Sequence, residues 1–452
     1  MKKILIFGAG RSSYILIRYL LQESGHNNYK IVVADNQTDL VTQKIEGHIN
    51  GEAINMDIKN DAERENLVSK ADIVISMLPV NLHLIIAKTC LKYNKNFITA
   101  SYINPELEKL DDEVKQAGLL FLNECGLDPG IDHMSAMSVI DKIRGAGNML
   151  RSFETFTGGL LAPNPDENPW QYKFTWNPRN VVLAGTGGVK FLQEGKYKYI
   201  PYHKIFRRTE MVHIPGHGYF EGYANRDSLK YMDLYDLKEI KTLYRGTFRR
   251  PGFCRAWDIF VQLGATDDTY LMENVHKMTH KDFINSFLSY NPYDSVELKL
   301  AHYMNLPFTS QEMFKMRWLG MFDDELVGLD EGTPAQILEH ILKKKWTLSE
   351  NDLDMVVMWH KFEYFEEEKL KVINSYLVSV GEDKDRTGMA KTVGLPVGIA
   401  AKLILENKIH TKGVQIPIKS EIYDPILREL RACGIEVKEE TPREIKMPDS
   451  NL

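Results

Sequence analysis

The sequence predicts an α/β protein that opens on a doubly wound parallel sheet and continues into a mixed α/β region with a small all-α insertion. Three observations lead there. Short apolar runs alternate with helix-spaced segments through residues 1–130, the pattern of repeated strand–helix units. A glycine-rich turn, Gly8-Ala9-Gly10-Arg11-Ser12-Ser13, follows the first run. From about residue 268 the pattern becomes helical, and strand-like stretches return near residue 354.

The elements follow in order. Ile4-Leu5-Ile6-Phe7 is apolar throughout, as a strand buried on both faces must be. Residues 14–23 carry Ile17, Leu20 and Leu21 at helical spacing. A second strand, Ile31-Val32-Val33-Ala34, ends at Asp35, and further strands are expected at 53–56, 73–77, 97–99 and 119–122. Helices fill the gaps at 61–70, 82–93 and 105–117. In the helical region, Phe283, Phe287, Leu298, Leu300 and Met313 supply apolar positions, and Leu306-Pro307 and Gly332-Thr333-Pro334 separate the helices. Strands are expected at 354–364 and 370–380, then helices at 392–405 and 423–432, with Pro396 near a first turn where proline is tolerated. The polar tail from Glu439 is expected to be loosely ordered.

A chain of 452 residues implies two to three domains, because single cores stop growing at roughly 250–300 residues. A net charge of -6 gives no reason to expect nucleic acid as a partner. Cys90, Cys125, Cys254 and Cys433 are widely spaced and form no C-x-x-C pair, which fits a reducing cytoplasm. The N-terminal apolar run is too short for a secretory leader, and no run of 18 apolar residues is read, so no membrane span is expected. No metal site is expected: His213 and His217 are four apart, but Pro215 and Gly216 between them preclude an ordinary helix.

The glycine stretch carries chemistry because of its place between a strand and a helix. Gly8 permits the tight turn, Gly10 lets backbone approach a pyrophosphate, and the helix beyond offers free N–H groups to phosphate. This is a Rossmann dinucleotide fingerprint, with Ser13 at the third position where glycine or alanine is usual. Gly8, Gly10, Arg11, Ser12 and Ser13 are thus candidate cofactor contacts. Asp35 can accept hydrogen bonds from the adenosine ribose and would repel a 2′-phosphate, and Asn36-Gln37-Thr38 supply no arginine to offset it. That favours NAD over NADP; the competing role for Asp35 is a helix N-cap. Asp57 is a second candidate near the adenine and equally an ordinary loop acid.

Beyond the fold, several stretches share a further pattern. They are Thr99-Ala100-Ser101-Tyr102, the run from Glu124-Cys125-Gly126-Leu127-Asp128-Pro129-Gly130 to Ile131-Asp132-His133-Met134, and Tyr172-Lys173-Phe174-Thr175-Trp176-Asn177-Pro178-Arg179. Glu221-Gly222-Tyr223-Ala224-Asn225-Arg226-Asp227-Ser228, Leu243-Tyr244-Arg245-Gly246-Thr247-Phe248-Arg249 and Val393-Gly394-Leu395-Pro396 continue it. Together, in collinear order, they resemble the saccharopine dehydrogenase family, in particular its glutamate-forming branch, also called saccharopine reductase. The resemblance implies an NAD(P)-dependent oxidoreductase of lysine metabolism acting on a CH–NH group. It would reversibly convert saccharopine to glutamate and α-aminoadipate semialdehyde. It also implies a homodimer, and a domain plan of 1–130 with 390–452 for the Rossmann part, 131–265 with 350–389 for the substrate domain, and 266–349 for the insertion. A related imine reductase (carboxynorspermidine-type or lysine-forming) and a catalytically idle dinucleotide sensor are the alternatives.

By the same resemblance, Ser101, Tyr102, Asp128, Arg226 and the triplet Thr247-Phe248-Arg249 bind substrate, with Phe248 in place of the usual leucine. Ser101, Tyr102 and Asp128 lie just past expected strand ends, where open α/β sheets bind ligands. Asp128 could stabilise or deprotonate the substrate's cationic amine; without the motif, Asp128-Pro129-Gly130 reads as turn chemistry. Saccharopine's three carboxylates call for arginines. His133 is either an acid–base group or a structural residue of the helix it begins. Cys125 is expected to be a small buried apolar residue and not a nucleophile.

Overall fold

Six of the apolar runs become parallel strands: β1 (Lys2–Phe7), β2 (Tyr29–Asp35), β3 (Gly51–Asn55), β4 (Ile73–Ser76), β5 (Asn96–Thr99) and β6 (Leu120–Leu122). With a short strand at Gly413–Gln415 they form one sheet. Its order runs from the short strand through β6, β5, β4, β1 and β2 to β3. Helices cover both faces, which is why Ile4, Leu5, Ile6 and Phe7 are at most 1% exposed. The order reverses between β1 and β4, so the ligand crevice of such a sheet lies at their carboxyl ends.

A computed structural model of the chain describes residues 1–163 and 168–446. It divides into two compact units, Met1–Met149 with Leu377–Glu440, and Leu150–Tyr376 with Thr441 onward. The first unit thus continues past residue 130 through helix Ile131–Gly145, which packs on helix Ser420–Ala432; the Tyr423 hydroxyl there donates to Asp141 at 2.6 Å.

Helix Gly388–Leu405 lies along helix Ser13–Asn27. A Cβ on Gly394 would come within 2.9 Å of the Leu16 nitrogen, and one on Gly398 within 2.7 Å of the Tyr19 ring, so glycine sets how closely these helices approach. With 18 residues and a mean hydropathy of 1.4, this helix is long and apolar enough to cross a membrane, contrary to the expectation of no such segment. Of its residues 83% are buried in the fold, as a core helix's would be.

The second unit holds a mixed sheet. Its strands are β7 (Met149–Leu161), the hairpin β8 (Val189–Gln193) and β9 (Lys196–Ile200), β10 (Thr209–Ile214), β11 (Gly218–Ala224), β12 (Thr242–Arg249), β13 (Asp354–Glu366) and β14 (Lys369–Val380). The order is β10, β11, β12, β7, β13, β14, with β8 pairing on β12; β12 runs parallel to β7 and antiparallel to β11. Helices His280–Asn285, Val296–Met304, Gln311–Trp318 and Pro334–Trp346 follow β12, each started by a Ser or Thr whose hydroxyl accepts a first-turn N–H. The tail is more ordered than expected at Arg443–Glu444, which pairs with β14; residues 447–452 lie outside the described residues.

Candidate active site

Gly8 directly follows β1 with φ of 99°, and a Cβ there would lie 2.9 Å from the Met77 carbonyl carbon, so no side chain fits this turn. Gly10 is the opposite case: a Cβ there would meet nothing within 4 Å, leaving space for a pyrophosphate over exposed backbone. Arg11 is exposed and Ser12 is half-buried. Ser12 caps the next helix without a side-chain hydrogen bond, so the helix N-terminus is left to an anion. Ser13 is buried and donates to the Gly10 carbonyl at 2.8 Å, a small group where close packing is needed.

Asp35 turns its carboxylate back on this loop. Oδ2 accepts from the Ala9 N–H at 2.7 Å and Oδ1 from the Gln37 N–H at 2.9 Å. Lys44 was not anticipated from the sequence. It is buried against the loop, where Nζ donates to the Ala9 carbonyl at 2.6 Å, to the Gly10 carbonyl and to Ser13 Oγ at 3.2 Å. Burial pushes its pKa down to about 8, against the opposing influence of Asp385 and Asp35. Asp57 is exposed and accepts from the Lys59 N–H at 2.9 Å, which closes its own turn.

Past β5 and β6 the fold brings two predicted residues together: the Tyr102 hydroxyl donates to Asp128 Oδ1 at 2.8 Å. The loop carrying Asp128 is pinned by backbone. The Gly126 N–H bonds to Pro129 O at 2.9 Å and the Ile131 N–H to Gly126 O at 2.8 Å. A Cβ on Gly130, at φ of 149°, would fall 2.0 Å from Gly126 O. The candidate His133 goes elsewhere. It is fully buried, with Nε2 2.8 Å from Glu124 Oε2, while Glu124 Oε1 accepts from the Ile103 N–H at 3.0 Å. That geometry makes His133 an internal brace for the loops carrying Tyr102 and Asp128. Cys125 is fully buried and burial pushes its thiol pKa up, so it offers no thiolate.

In the second unit Arg249 closes β12 and is 3% exposed. Its guanidinium carbon lies 4.9 Å, 5.2 Å and 5.8 Å from the ring centres of Tyr172, Phe253 and Tyr223. Nη1 donates to the Phe248 carbonyl at 3.0 Å, and Nε has no partner. Among the described residues no carboxylate pairs with it. Glu221, its neighbour in register, directs Oε2 to the N–H groups of Gly252 and Cys254 at 3.0 and 3.2 Å. A cation buried without its counter-charge marks a place prepared for an anion. Thr247, half-buried, shares the Arg249 face of the strand. Phe248 points to the other face and stacks on Phe156 at 5.2 Å, so only its backbone could meet a ligand and its exchange for leucine is absorbed in the core. Arg226 is exposed, at φ of 56°. Lys173 and Arg179 of the third motif form ion pairs, with Asp352 at 2.5 Å and with Asp268.

A family model described as the saccharopine dehydrogenase NADP binding domain matches residues 4–122, and one described as the saccharopine dehydrogenase C-terminal domain matches residues 126–435. The chain belongs to the saccharopine dehydrogenase family. Within that family it is 32% identical to saccharopine dehydrogenase [NADP(+), L-glutamate-forming] of Schizosaccharomyces pombe, over 97% of this chain and 99% of that one. It is 35% identical to the mitochondrial alpha-aminoadipic semialdehyde synthase of Rattus norvegicus, over 96% of this chain and 47% of that protein. The chain therefore spans about half the length of such synthases. The apo histidine-tagged saccharopine dehydrogenase (L-Glu forming) of Saccharomyces cerevisiae has the same fold, with a TM-score of 0.88 at 29% identity, over 97% of this chain and 99% of that one. The cofactor of this family member is a nicotinamide dinucleotide.

Lys44, His83 and Glu124 are the polar residues that sequence reasoning missed. Each is bonded to partners supplied by other elements, and the sequence pattern placed Lys44 in no helix or strand.

Proposed function

We propose that this family member is a saccharopine dehydrogenase of the glutamate-forming type, an oxidoreductase acting on a CH–NH group. The observation that carries the reading is Arg249, a buried guanidinium in an aromatic surround with no carboxylate partner among the described residues. A tricarboxylate substrate supplies the missing charge, and a guanidinium binds carboxylate in a planar, bidentate way.

Gly8, Gly10 and the N-terminus of helix Ser13–Asn27 would hold the pyrophosphate, with Lys44 bracing the loop carbonyls from beneath. When bound, the nicotinamide ring supplies the hydride acceptor. Asp128, oriented by the Tyr102 hydroxyl, holds the charge of the substrate's secondary ammonium and takes its proton. Loss of hydride from the lysine-side carbon leaves an imine on the substrate. Water adds to that carbon, and cleavage of its bond to nitrogen gives glutamate and the semialdehyde. Ser101 contributes a further hydrogen bond.

The choice of dinucleotide rests on opposing observations. The matched family model and the fungal relatives carry NADP in their names, which weighs against the NAD preference read from the sequence. In this chain a carboxylate ends β2, anchored by Ala9 and Gln37, and no arginine follows it directly. On that charge we favour NAD, since a 2′-phosphate brought beside Asp35 would be repelled. Saccharopine oxidation followed through reduced nicotinamide with each dinucleotide, with glutamate and lysine measured separately, tests both statements. Lysine as the product, or no turnover, would overturn the function; a preference for NADP would overturn only the cofactor assignment.

A further inference from the structure

Ser76 and Thr99 end β4 and β5 and face each other in register. His83, the first residue of helix His83–Lys92, fits its ring against these strand ends. Nδ1 lies 2.8 Å from Ser76 Oγ and Nε2 lies 2.9 Å from Ser101 Oγ, with Thr99 Oγ1 3.4 Å from the same nitrogen. The ring is 3% exposed, and burial holds its pKa down to about 4, with no charged neighbour contributing. His83 is therefore an uncharged imidazole near neutral pH, carrying one N–H and one lone pair.

Which nitrogen carries the proton decides what Ser101 can do. Ser76 is fully buried, and its hydroxyl has His83 Nδ1 as its partner. An unmade buried donor is costly, and of the two buried hydroxyls on the ring Ser76 is the closer, at 2.8 Å against 3.4 Å for Thr99, so Ser76 donates and Nδ1 accepts. The proton then sits on Nε2, which donates to Ser101 Oγ. With that oxygen accepting from the ring, the Ser101 proton points away from His83. The opposite tautomer would draw the Ser101 proton inward and present only lone pairs to a ligand.

We propose that His83 is a positioning residue for substrate binding: as the neutral Nε2–H tautomer it turns the half-buried Ser101 hydroxyl outward as a donor to a substrate carboxylate. The inference rests on Ser101 meeting saccharopine, as proposed above.

Four variants test it: Ser101→Ala, His83→Asn, His83→Gln and the double variant Ser101→Ala/His83→Asn. Glutamine places its amide near the Nε2 position and can still donate to Ser101; asparagine's amide reaches only the Nδ1 position. Loss of one hydrogen bond to a charged acceptor predicts a rise in saccharopine KM of about tenfold or more for Ser101→Ala and for His83→Asn. Coupling through Ser101 predicts that the double variant matches Ser101→Ala within about twofold. His83→Gln should stay near the wild type, and dinucleotide KM should be unmoved in all four. Multiplying effects in the double variant, equal damage from Gln and Asn, or a normal KM in His83→Asn would each overturn the proposal. Nitrogen NMR of the histidine rings in the full chain without substrate gives a second readout. The His83 signals should report a protonated Nε2 and a bare Nδ1, and the reverse assignment would also overturn it. A wild-type chain with this tautomer but no saccharopine turnover would instead overturn the proposed function, and with it the ligand assigned to Ser101.

Discussion

Replacing Arg249 by methionine separates a residue that holds the fold from one that holds a ligand. In the free protein, among the described residues, the guanidinium makes one hydrogen bond, to the Phe248 carbonyl, and lies near three rings. Losing the hydrogen bond costs about 1 kcal/mol, and losing the ring contacts costs about 0.5–2 kcal/mol. Against this, a buried cation with no carboxylate partner among the described residues carries a desolvation penalty of several kcal/mol, which methionine removes. Arg249→Met without substrate should therefore melt at or above the wild-type temperature. Turnover should move the other way. A desolvated carboxylate left unpaired costs about 2–5 kcal/mol, so kcat/KM for saccharopine should fall by about 30- to 5000-fold. Saccharopine should also raise the melting temperature of the wild type and not that of the variant, because only a bound ligand stabilises. The assays are thermal melts with and without saccharopine, and steady-state kinetics. A variant clearly less stable than wild type with unchanged saccharopine kinetics would refute the reasoning, because Arg249 would then belong to the fold alone.

The remaining predictions concern the first unit. Asp128→Asn keeps an oxygen to accept from Tyr102, so dinucleotide affinity by calorimetry should be unchanged while kcat/KM falls about 10²–10⁴-fold; near-normal turnover would reduce Asp128 to a turn residue. Asp35→Ala should narrow the preference for NAD in paired kinetic assays, and a wild type favouring NADP by about tenfold, or about 1.4 kcal/mol, would remove the basis for that preference. The folded His83 pKa of about 4 lies below its ordinary 6.5, so the unfolded chain takes up the proton first as pH falls. Its contribution is complete above pH 6.5 and is lost between pH 6.5 and 4, a fall of about 3 kcal/mol. His83→Gln should flatten that part of the stability profile in denaturant titrations, and an unchanged acid slope would contradict the assignment.

The first sheet was legible in the sequence because strands buried on both faces must be apolar along their whole length. Runs such as Ile4–Phe7 and Ile31–Ala34 announce themselves without knowledge of what covers them. Gly8 was legible for a similar local reason, since its backbone conformation excludes other residues whatever surrounds it. The second unit was less so: β8 to β12 are short strands interrupted by single helical turns, and their sheet order depends on partners far away in the chain. Among the site residues, motif and position past a strand end marked Asp128, and only the folded chain showed the Tyr102 hydroxyl meeting it. The same motif made His133 an even choice between proton transfer and structure, and only the folded chain showed its ring buried against Glu124. Lys44 beneath the glycine loop, His83 between two strand ends and Arg249 without a carboxylate were decided by the tertiary structure alone. Local periodicity depends on neighbours a few residues away, whereas the charge state and direction of a buried polar group depend on whichever distant residues close around it.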